Sequence, residues 1–361
     1  MERIKKLQAT LKSHGVDGLI IDDTTDLYYL TGLSLSLGRL LVTQRLARLF
    51  VDGRYYETAT KQAPCPVTLS PPTTLFDALE KTKISSLGFD AAITTVQDLS
   101  ALRKGVARVR RARGSPVTLK PLTAPVAPLR MYKDASELRI LRKAARLGNS
   151  GFEHVKTLLK EGVTEAEVAA KLEIFWLQQG GQSLAFEPII AFGANSSKPH
   201  YSPGKTRLRL GQPILVDIGV TVDHYHSDMT RVLFYGTPKP IMKRVYHAVL
   251  EAQTAALALC RPGTSIADLD KTAREVLATH DLGDKFTHSL GHGIGLQVHE
   301  QPGIRQSPTT RKQRLAPGMV ITIEPGAYLP NVGGVRIEDT VIITEQGHQN
   351  LTSPSKALTV L

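Results

Sequence analysis

Cysteine is nearly absent from this chain, which has Cys65 and Cys260 in 361 residues. Two cysteines so far apart provide neither a disulfide framework nor a cysteine-rich metal site, so we expect the protein to work in the reducing cytoplasm. The chain also lacks any run of 18 apolar residues, so we expect no membrane span and no membrane partner. Its first residues, MERIKKLQATLKSHG, predict an amphipathic helix and not a secretory signal.

Aromatic residues are missing where the positive charge is most concentrated. The chain has a net charge of +12, and much of the excess lies in residues 103–113. The basic residues of this stretch are Arg103, Lys104, Arg108, Arg110, Arg111 and Arg113. Because no aromatic side chains alternate with them and no known nucleic-acid-binding pattern accompanies them, we expect no nucleic-acid partner. We interpret the stretch as a solvated helix and loop, with an anion-binding patch as the alternative.

Five polar residues interrupt segments that otherwise have the apolar composition of buried strands. They are Asp217 in ILVDIGV, Asp228 in YHSDMTRV, His292 in GHGIG, Glu324 in VITIEPGAYL and Glu338 in GVRIEDTVII. An ionised carboxylate costs several kcal/mol to bury unless it is paired or binds a metal, and each close pair of carboxylates adds about 4 kcal/mol of repulsion at an effective dielectric constant near 20. Two divalent cations would remove both costs, so this set predicts a two-metal hydrolytic site.

The turns between these segments predict how the acids meet. Asp217 and Asp228 are predicted on two strands joined by the polar turn VDHYHS, so a hairpin would place them face to face. Glu324 and Glu338 are predicted on two further strands joined by PNVGG, which gives the same geometry a second time. The glycines around His292 would let its backbone approach a crowded centre.

These motifs resemble the pita-bread metallopeptidase family, whose members include methionine aminopeptidase, aminopeptidase P and prolidase. The resemblance extends over residues 133–361 and includes all five residues in order and spacing. It implies that Asp228 and Glu338 bridge two metal ions, that Asp217 completes the coordination of one, and that His292 and Glu324 hold the other. Four carboxylates and one imidazole favour Mn²⁺, with Co²⁺ or Fe²⁺ as alternatives and Zn²⁺ less favoured.

The same resemblance assigns further residues to the site. His299 in VHEQP corresponds to a histidine that contacts the substrate or the developing oxyanion, and His200 in KPHY corresponds to a second substrate-facing histidine. His288 corresponds to a residue that lines the pocket for the proline side chain. Arg336 lies two residues before Glu338, so its side chain projects to the same face of a strand and can pair with the acids or reach the substrate.

The sequence predicts two domains and an α/β fold of the α+β type. Residues 1–128 resemble the N-terminal domain of creatinase and prolidase through the phrases YLTG and VDGRYYETA. Their patterns predict a helix to about residue 14, a strand at GLIIDD, a hairpin at RLLVTQRLARLFVD, a helix that begins at GRYYETA, and a helix followed by a strand within TLFDALEKTKISSLGFD. The proline-rich stretch KPLTAPVAPLRMYKD predicts a stiff linker without regular structure.

Residues 129–361 are the predicted catalytic domain, with the pita-bread fold. Its first two helices are predicted to begin with capping boxes, because Asp134 is followed by Glu137 and Thr164 by Glu167 at the required spacing. Apolar residues then recur at helical spacing as far as Val155, which predicts a long first helix.

The additional N-terminal domain favours the proline-directed branch of the family, because a minimal methionine aminopeptidase would not need it. We predict an exopeptidase that releases the N-terminal residue from peptides with proline in second position, by attack of a metal-bridging hydroxide with Glu324 as general base. The alternative is an Xaa-Pro dipeptidase. A metal-free creatinase-like hydrolase or a non-catalytic binding protein is disfavoured because all five metal-binding residues are present. We expect short proline-containing peptides as substrates and a homodimer.

Overall fold

The structure is a computed structural model that describes residues 1–71 and 74–361. The chain divides into two compact units, Met1–Arg130 and Met131–Leu361. The sequence predicts the division two residues earlier, after residue 128. Among the described residues, the helices are all too short or too polar to cross a membrane.

The first unit is built on a six-stranded mixed sheet with the strand order β4-β3-β2-β1-β5-β6. Its strands are β1 (Gly18–Ile21), β2 (Arg39–Thr43), β3 (Ala47–Val51), β4 (Val67–Leu69), β5 (Ser86–Asp90) and β6 (Thr118–Leu122). Its helices are α1 (Glu2–Thr10), α2 (Thr24–Thr31), α3 (Gly53–Gln62), α4 (Thr74–Glu80), α5 (Val96–Arg113) and α6 (Ala127–Arg130). Leu41, Phe50 and Leu87 from the sheet belong to one buried cluster with Leu75 and Leu102 from the helices.

Most of the elements predicted for this unit are confirmed. The strand at GLIIDD is β1, the predicted hairpin is the antiparallel pair β2 and β3, and the helix at GRYYETA is α3. The next predicted helix and strand are α4 and β5. The first helix ends at Thr10, earlier than the predicted residue 14, and is followed by a turn that reaches the left-handed Gly15.

The prediction that residues 120–134 lack regular structure is wrong. Residues 120–122 complete β6, and residues 127–130 form the short helix α6. Pro121 is compatible with a strand here because β6 is at the edge of the sheet, where a missing backbone N–H need not interrupt a ladder of hydrogen bonds on both sides.

The basic stretch at residues 103–113 lies on α5. Arg108 forms ion pairs with Asp77 and Glu80, and Arg113 donates hydrogen bonds to the carbonyl of Ile84. Part of this positive charge is therefore engaged in holding α5 against its neighbours.

The second unit begins with the predicted long helix, and its first two helices both have the predicted capping boxes. Its helices are α7 (Ala135–Leu158), α8 (Glu165–Gln178), α9 (Pro240–Ala258), α10 (Ile266–Thr279) and α11 (Pro308–Lys312), with 3₁₀ turns at Gly193–Ser197 and Gly283–Lys285. Its strands are β7 (Ser183–Leu184), β8 (Ile189–Phe192), β9 (Gln212–Ile218), β10 (Val220–Val222), β11 (Tyr225–His226), β12 (Met229–Tyr235), β13 (Gly291–Gly293), β14 (Glu300–Ile304), β15 (Val320–Ile323), β16 (Gly326–Leu329), β17 (Gly333–Arg336), β18 (Asp339–Ile343), β19 (His348–Asn350) and β20 (Thr359–Val360).

The acidic residues lie on or directly beside the strands of two sheets of this unit. One has the order β20-β12-β9-β8 and the other β14-β13-β15-β18-β19. Two buried hydrophobic clusters join these sheets to helices. In one cluster, Val216 of β9 is buried with Phe152 of α7 and Trp176 of α8. In the other, Ile321 of β15 is buried with Val249 of α9. Helices α7 and α8 therefore pack against the first sheet, and α9 packs against the second. The helices and mixed sheets of both units agree with the predicted α/β fold class.

Candidate metal centre

Asp217 and Asp228 come from the antiparallel pair β9 and β12. The predicted hairpin is confirmed, since Asp217 is directly opposite Thr230 in the register of these strands. Asp228 was predicted to lie on a strand, but it lies directly before β12, which begins at Met229. The reason is that the chain leaves β9 after Ile218 and forms a second short hairpin, β10 with β11, before it returns. Both carboxylates are buried.

Glu324 and Glu338 are beyond the paired ends of β15 and β18, where Ile323 is opposite Asp339. The prediction that both lie on strands is wrong, because each occupies a break between two strands. Pro325 cannot donate a backbone hydrogen bond, and the backbone N–H of Glu338 donates to the carbonyl of Thr230 at 3.1 Å. The PNVGG turn is found between β16 and β17, which pair with each other beyond the break.

His292 lies on β13 between two glycines that its neighbours leave no room to replace. A Cβ at Gly291 would be 2.0 Å from the Thr322 carbonyl oxygen, and one at Gly293 would be 2.2 Å from the Gln301 carbonyl oxygen. The close backbone approach expected around this histidine is confirmed. Nδ1 of His292 is 3.1 Å from the carbonyl oxygen of Gly293, which can only accept a hydrogen bond, so Nδ1 carries the proton and Nε2 keeps its lone pair.

That lone pair faces the acids. His292 Nε2 is 3.4 Å from Oε1 of Glu324 and 3.6 Å from Oδ2 of Asp228. One ligand atom each from Asp228, His292 and Glu338 lie within 4.8 Å of one another. Asp217 is linked to this group through Arg336, whose guanidinium Nη2 contacts Asp217 Oδ2.

The electrostatics of this cluster call for a cation. Burial, together with Glu338 and Asp217, raises the pKa of Asp228 well above its ordinary value, and burial with Glu338 does the same to the pKa of Glu324. Burial and the proximity of Asp217 raise the pKa of Glu338 to about 8. Two buried oxygens, Oδ1 of Asp217 and Oε1 of Glu338, have no hydrogen-bond partner in the described part of the chain. Oxygen atoms left in this way are suited to a divalent cation, so the residues fit a metal.

Arg336 pairs with the acid cluster, which is one of the two roles that its sequence position allowed. Besides Asp217, it donates hydrogen bonds to the Tyr328 hydroxyl at 2.7 Å and to the Thr230 hydroxyl at 3.2 Å. Its side chain is buried and fully engaged. Arg336 therefore holds Asp217 in position, and it offers little free hydrogen-bonding capacity to a substrate.

The three predicted substrate histidines line one cavity of about 540 Å³ with all five candidate metal ligands. His299 packs edge-on against His292, with 4.3 Å between ring centroids. Burial and the nearby His200 lower the pKa of His299, so its imidazole is neutral at pH 7. His288 has both ring nitrogens in use, because Nδ1 is 2.8 Å from the Ser289 carbonyl and Nε2 is 2.8 Å from the Tyr328 hydroxyl. His288 therefore presents mainly its ring face to the cavity.

Thr230 and Tyr328 belong to the hydrogen-bond network of the candidate site and were not identified from the sequence. Thr230 donates a hydrogen bond to Oε2 of Glu338 at 2.7 Å, and Tyr328 joins His288 to Arg336. Thr230 is two residues after Asp228 and could have been suspected from that spacing. We see no comparable signal for Tyr328.

Comparison with known protein families divides the chain into the same two parts. The sequence model of metallopeptidase family M24 matches residues 139–345, and the model of the creatinase/prolidase N-terminal domain matches residues 3–132. A protein of Pyrococcus horikoshii named Xaa-Pro dipeptidase is 35% identical over 99% of this chain and 98% of its own length.

Solved structures of similar proteins cover all or nearly all of the chain. An Xaa-Pro dipeptidase from Bacillus anthracis matches with a TM-score of 0.93 and 32% identity, over 100% of this chain and 99% of its own. An X-Pro aminopeptidase from Thermotoga maritima matches with a TM-score of 0.85 and 30% identity, over 96% of this chain and 98% of its own.

Proposed function

This chain belongs to metallopeptidase family M24, and on that premise we propose that it is an Xaa-Pro dipeptidase. The observation that carries the proposal is the full-length similarity to proteins with that name from Pyrococcus horikoshii and Bacillus anthracis. The sequence alone favoured the aminopeptidase activity over this alternative. The relatives favour the dipeptidase.

Release of the N-terminal residue from longer peptides remains the second candidate. It is supported by the similarity to the X-Pro aminopeptidase of Thermotoga maritima, which extends over nearly the whole chain. Both activities cleave the bond before proline. They differ in whether the substrate ends at that proline or continues beyond it.

The chain's own residues supply the metal-binding groups. In this proposal Asp217, Asp228, His292, Glu324 and Glu338 hold two divalent ions, with Mn²⁺ preferred and Co²⁺ or Fe²⁺ as alternatives. When bound, such ions activate water for attack and polarise the scissile carbonyl. Nε2 of His292 is the only nitrogen among these five side chains that is free to bind a metal, because the proton is held on the other ring nitrogen by Gly293.

The remaining groups move protons and bind the peptide. Glu324 reaches the cavity beside His292 and acts as the general base that accepts the water proton and delivers it to the leaving nitrogen. His299, neutral and next to His292, donates a hydrogen bond to the carbonyl oxygen as negative charge develops there. His200 is a second donor on the same cavity wall, and the ring of His288 packs against the proline. Arg336 holds Asp217 in position.

The test is turnover of matched peptide series by protein stripped of metal and then loaded separately with Mn²⁺, Co²⁺ or Zn²⁺. We expect hydrolysis of Xaa-Pro dipeptides, at least tenfold slower hydrolysis of Xaa-Pro-Yaa tripeptides, and the highest rate with Mn²⁺. Preferred cleavage of the tripeptides would establish the aminopeptidase activity instead. Full activity of the stripped protein would contradict both.

A further inference from the structure

We propose that Arg274 is a positioning residue for the proline pocket: it fixes the backbone of His288 and so sets the width of the space that receives the proline ring. This inference rests on the proposed function, because it concerns the specificity of the same cavity. It gives a role to an ion pair on α10 whose two residues do not line the cavity themselves.

The ion pair joins Arg274 to Asp270, one turn earlier on α10. Nε of Arg274 donates to Oδ2 of Asp270 at 2.8 Å, and Nη2 donates to Oδ1 at 3.2 Å. The Asp270 side chain is 1% exposed and that of Arg274 is 33% exposed. Two parallel hydrogen bonds to a buried carboxylate fix the plane of the guanidinium and leave its other N–H groups for residues outside the helix.

Those N–H groups bind the segment that carries His288. Nη1 of Arg274 donates to the carbonyl oxygen of Phe286 at 3.0 Å, and Nη2 donates to the carbonyl oxygen of His288 at 2.5 Å. The guanidinium also lies over the ring of Phe286, with 4.4 Å between Cζ and the ring centroid. One side chain therefore holds two backbone groups and one aromatic ring of the same segment.

Asp270 holds the end of this segment that leads to the metal centre. Its Oδ1 accepts a hydrogen bond from the backbone N–H of Leu290 at 3.1 Å. The carbonyl oxygen of Leu290 accepts one in turn from the N–H of Glu324 at 2.8 Å. The backbone is thus fixed at residues 286, 288 and 290, immediately before β13 brings His292 to the metal centre.

The place of the His288 ring depends on this backbone. The ring packs edge-on against Phe286, with 4.9 Å between centroids, and its Nε2 is 2.8 Å from the Tyr328 hydroxyl. With Nδ1 also engaged, the ring cannot rotate without losing these contacts, so it moves when its backbone moves. In the proposed function this ring packs against the proline, and a displaced His288 would widen the pocket.

A positioning role and a purely stabilising role differ in their effect on selectivity. Lower stability reduces the amount of folded protein, so it lowers the hydrolysis of every substrate by the same factor. A wider pocket changes the preference between rings of different size. An apolar pocket distinguishes ligands that differ by one methylene group by about 10- to 200-fold, so a change in its width is measurable.

The experiment compares Xaa-Pro with the dipeptide of Xaa and pipecolic acid, whose six-membered ring has one more methylene group than proline. The proteins are the wild type, Arg274→Gln, Arg274→Lys and the control Lys271→Gln, each loaded with Mn²⁺ and checked for metal content. Lys271 is exposed on the same helix and pairs with Glu275 at the surface, so its loss tests for a general effect of removing one positive charge from α10.

We expect the wild type to prefer Xaa-Pro at least tenfold in kcat/KM. Arg274→Gln should lower kcat/KM for Xaa-Pro roughly tenfold, mainly through KM, and should leave the pipecolic acid dipeptide within about twofold, so that the preference is nearly lost. Arg274→Lys should retain an intermediate preference, because it keeps the charge but cannot hold Asp270 and both carbonyl oxygens together. Lys271→Gln should behave as the wild type.

Equal losses for the two substrates in Arg274→Gln and Arg274→Lys would overturn the proposal, because they would reflect stability alone. An unchanged preference in both variants would overturn it too, as would a wild type that does not distinguish the two rings. If Arg274→Gln does not fold, the comparison of Arg274→Lys with the wild type decides the matter.

A failure of the proposed function would be seen separately. If the wild type cleaves Xaa-Pro-Yaa in preference to Xaa-Pro, the dipeptidase activity is refuted, and the same four proteins are compared on tripeptides with proline or pipecolic acid in second position. If it cleaves none of these peptides, binding of free proline and free pipecolic acid is measured by calorimetry. Arg274→Gln should then weaken the binding of proline at least fivefold more than that of pipecolic acid, and any other result would overturn the role of Arg274.

Discussion

Thr230 donates a hydrogen bond from its hydroxyl group to Oε2 of Glu338 at 2.7 Å. The backbones of the two residues are joined as well, because the N–H of Glu338 donates to the Thr230 carbonyl at 3.1 Å. Thr230 is opposite Asp217 in the pairing of β9 with β12. It therefore connects Asp217 with Glu338, which lies between β17 and β18. This one contact brings together carboxylates that are far apart in the sequence.

Replacing Thr230 with valine should weaken metal binding. The substitution keeps the shape and removes the hydroxyl that orients Glu338 and accepts a hydrogen bond from Arg336. Loss of such a supporting hydrogen bond typically lowers metal affinity 10- to 100-fold, and we expect a decrease of about that size. Titration of metal-free protein with Mn²⁺ measures it. Thr230→Ser, which retains the hydroxyl, is the matched control, and equal affinities for the two variants would argue against this role.

Gly293→Ala should destabilise the protein by about 2 kcal/mol or more, because the new Cβ would overlap the backbone oxygens of Gln301 and Glu300. Those atoms belong to β14, the strand that carries the neighbouring segment of the cavity wall, and cannot move aside like a flexible side chain. Gly303→Ala, on the facing strand and with open space around it, should cost less than about 1 kcal/mol. Chemical denaturation of both variants compares the two losses; similar losses would mean that the tight approach is not what Gly293 provides.

Much of the fold could be predicted because it depends on local patterns. The capping boxes at Asp134 and Thr164 involve residues three positions apart, and both formed as predicted. The pairing of β9 with β12 also formed as predicted, although the polar segment between them contains the short hairpin of β10 and β11. In each case the partners are near neighbours in the sequence, so few alternative arrangements compete.

Contacts between distant segments were harder to predict. The hydrogen bond from Thr230 to Glu338 joins residues more than a hundred positions apart, and it depends on how two sheets meet. The choice of Arg336 between an acid and a substrate also depends on that packing. Neither local propensity nor apolar periodicity specifies how the two sheets pack against each other. Strand β6 illustrates a different limit, since Pro121 is excluded from a central strand but not from an edge, and only the sheet order distinguishes the two.

Asp228 should be indispensable for metal uptake. Asp228→Asn keeps the size of the side chain and removes the charge that faces Nε2 of His292, so we expect loss of tight metal binding and at least a thousandfold loss of turnover. The control is Asp223→Asn, in the turn between β10 and β11. Asp223 pairs with Lys143 at the surface and has a positive φ of 47°, which asparagine also tolerates. Metal content after dialysis and turnover measure both variants, and a metal-replete, active Asp228→Asn protein would refute the assignment.

The metal-free protein should lose stability as the pH rises. In the folded metal-free state the pKa of Glu338 is raised from 4.5 to about 8, because the carboxyl group is buried and lies near Asp217. The folded state therefore holds this proton more tightly than the unfolded chain does. The stability contributed by protonated Glu338 is fully present below pH 4.5 and is lost as the pH rises through about 8. Raised pKa values at Asp228 and Glu324 act in the same direction.

We thus expect the Tm of metal-free protein to fall between about pH 5 and pH 8, and to fall less in Glu338→Gln, where the neutral amide has no proton to lose. Loading with metal should remove most of the fall, because a bound divalent ion stabilises the deprotonated carboxylates that are otherwise unfavourable in this site. Metal binding near neutral pH should therefore release protons, and calorimetric heats will differ between buffers with different ionisation enthalpies. Buffer-independent heats would mean that the acids are already ionised before metal binds. The cluster would then be less costly to bury than its geometry indicates.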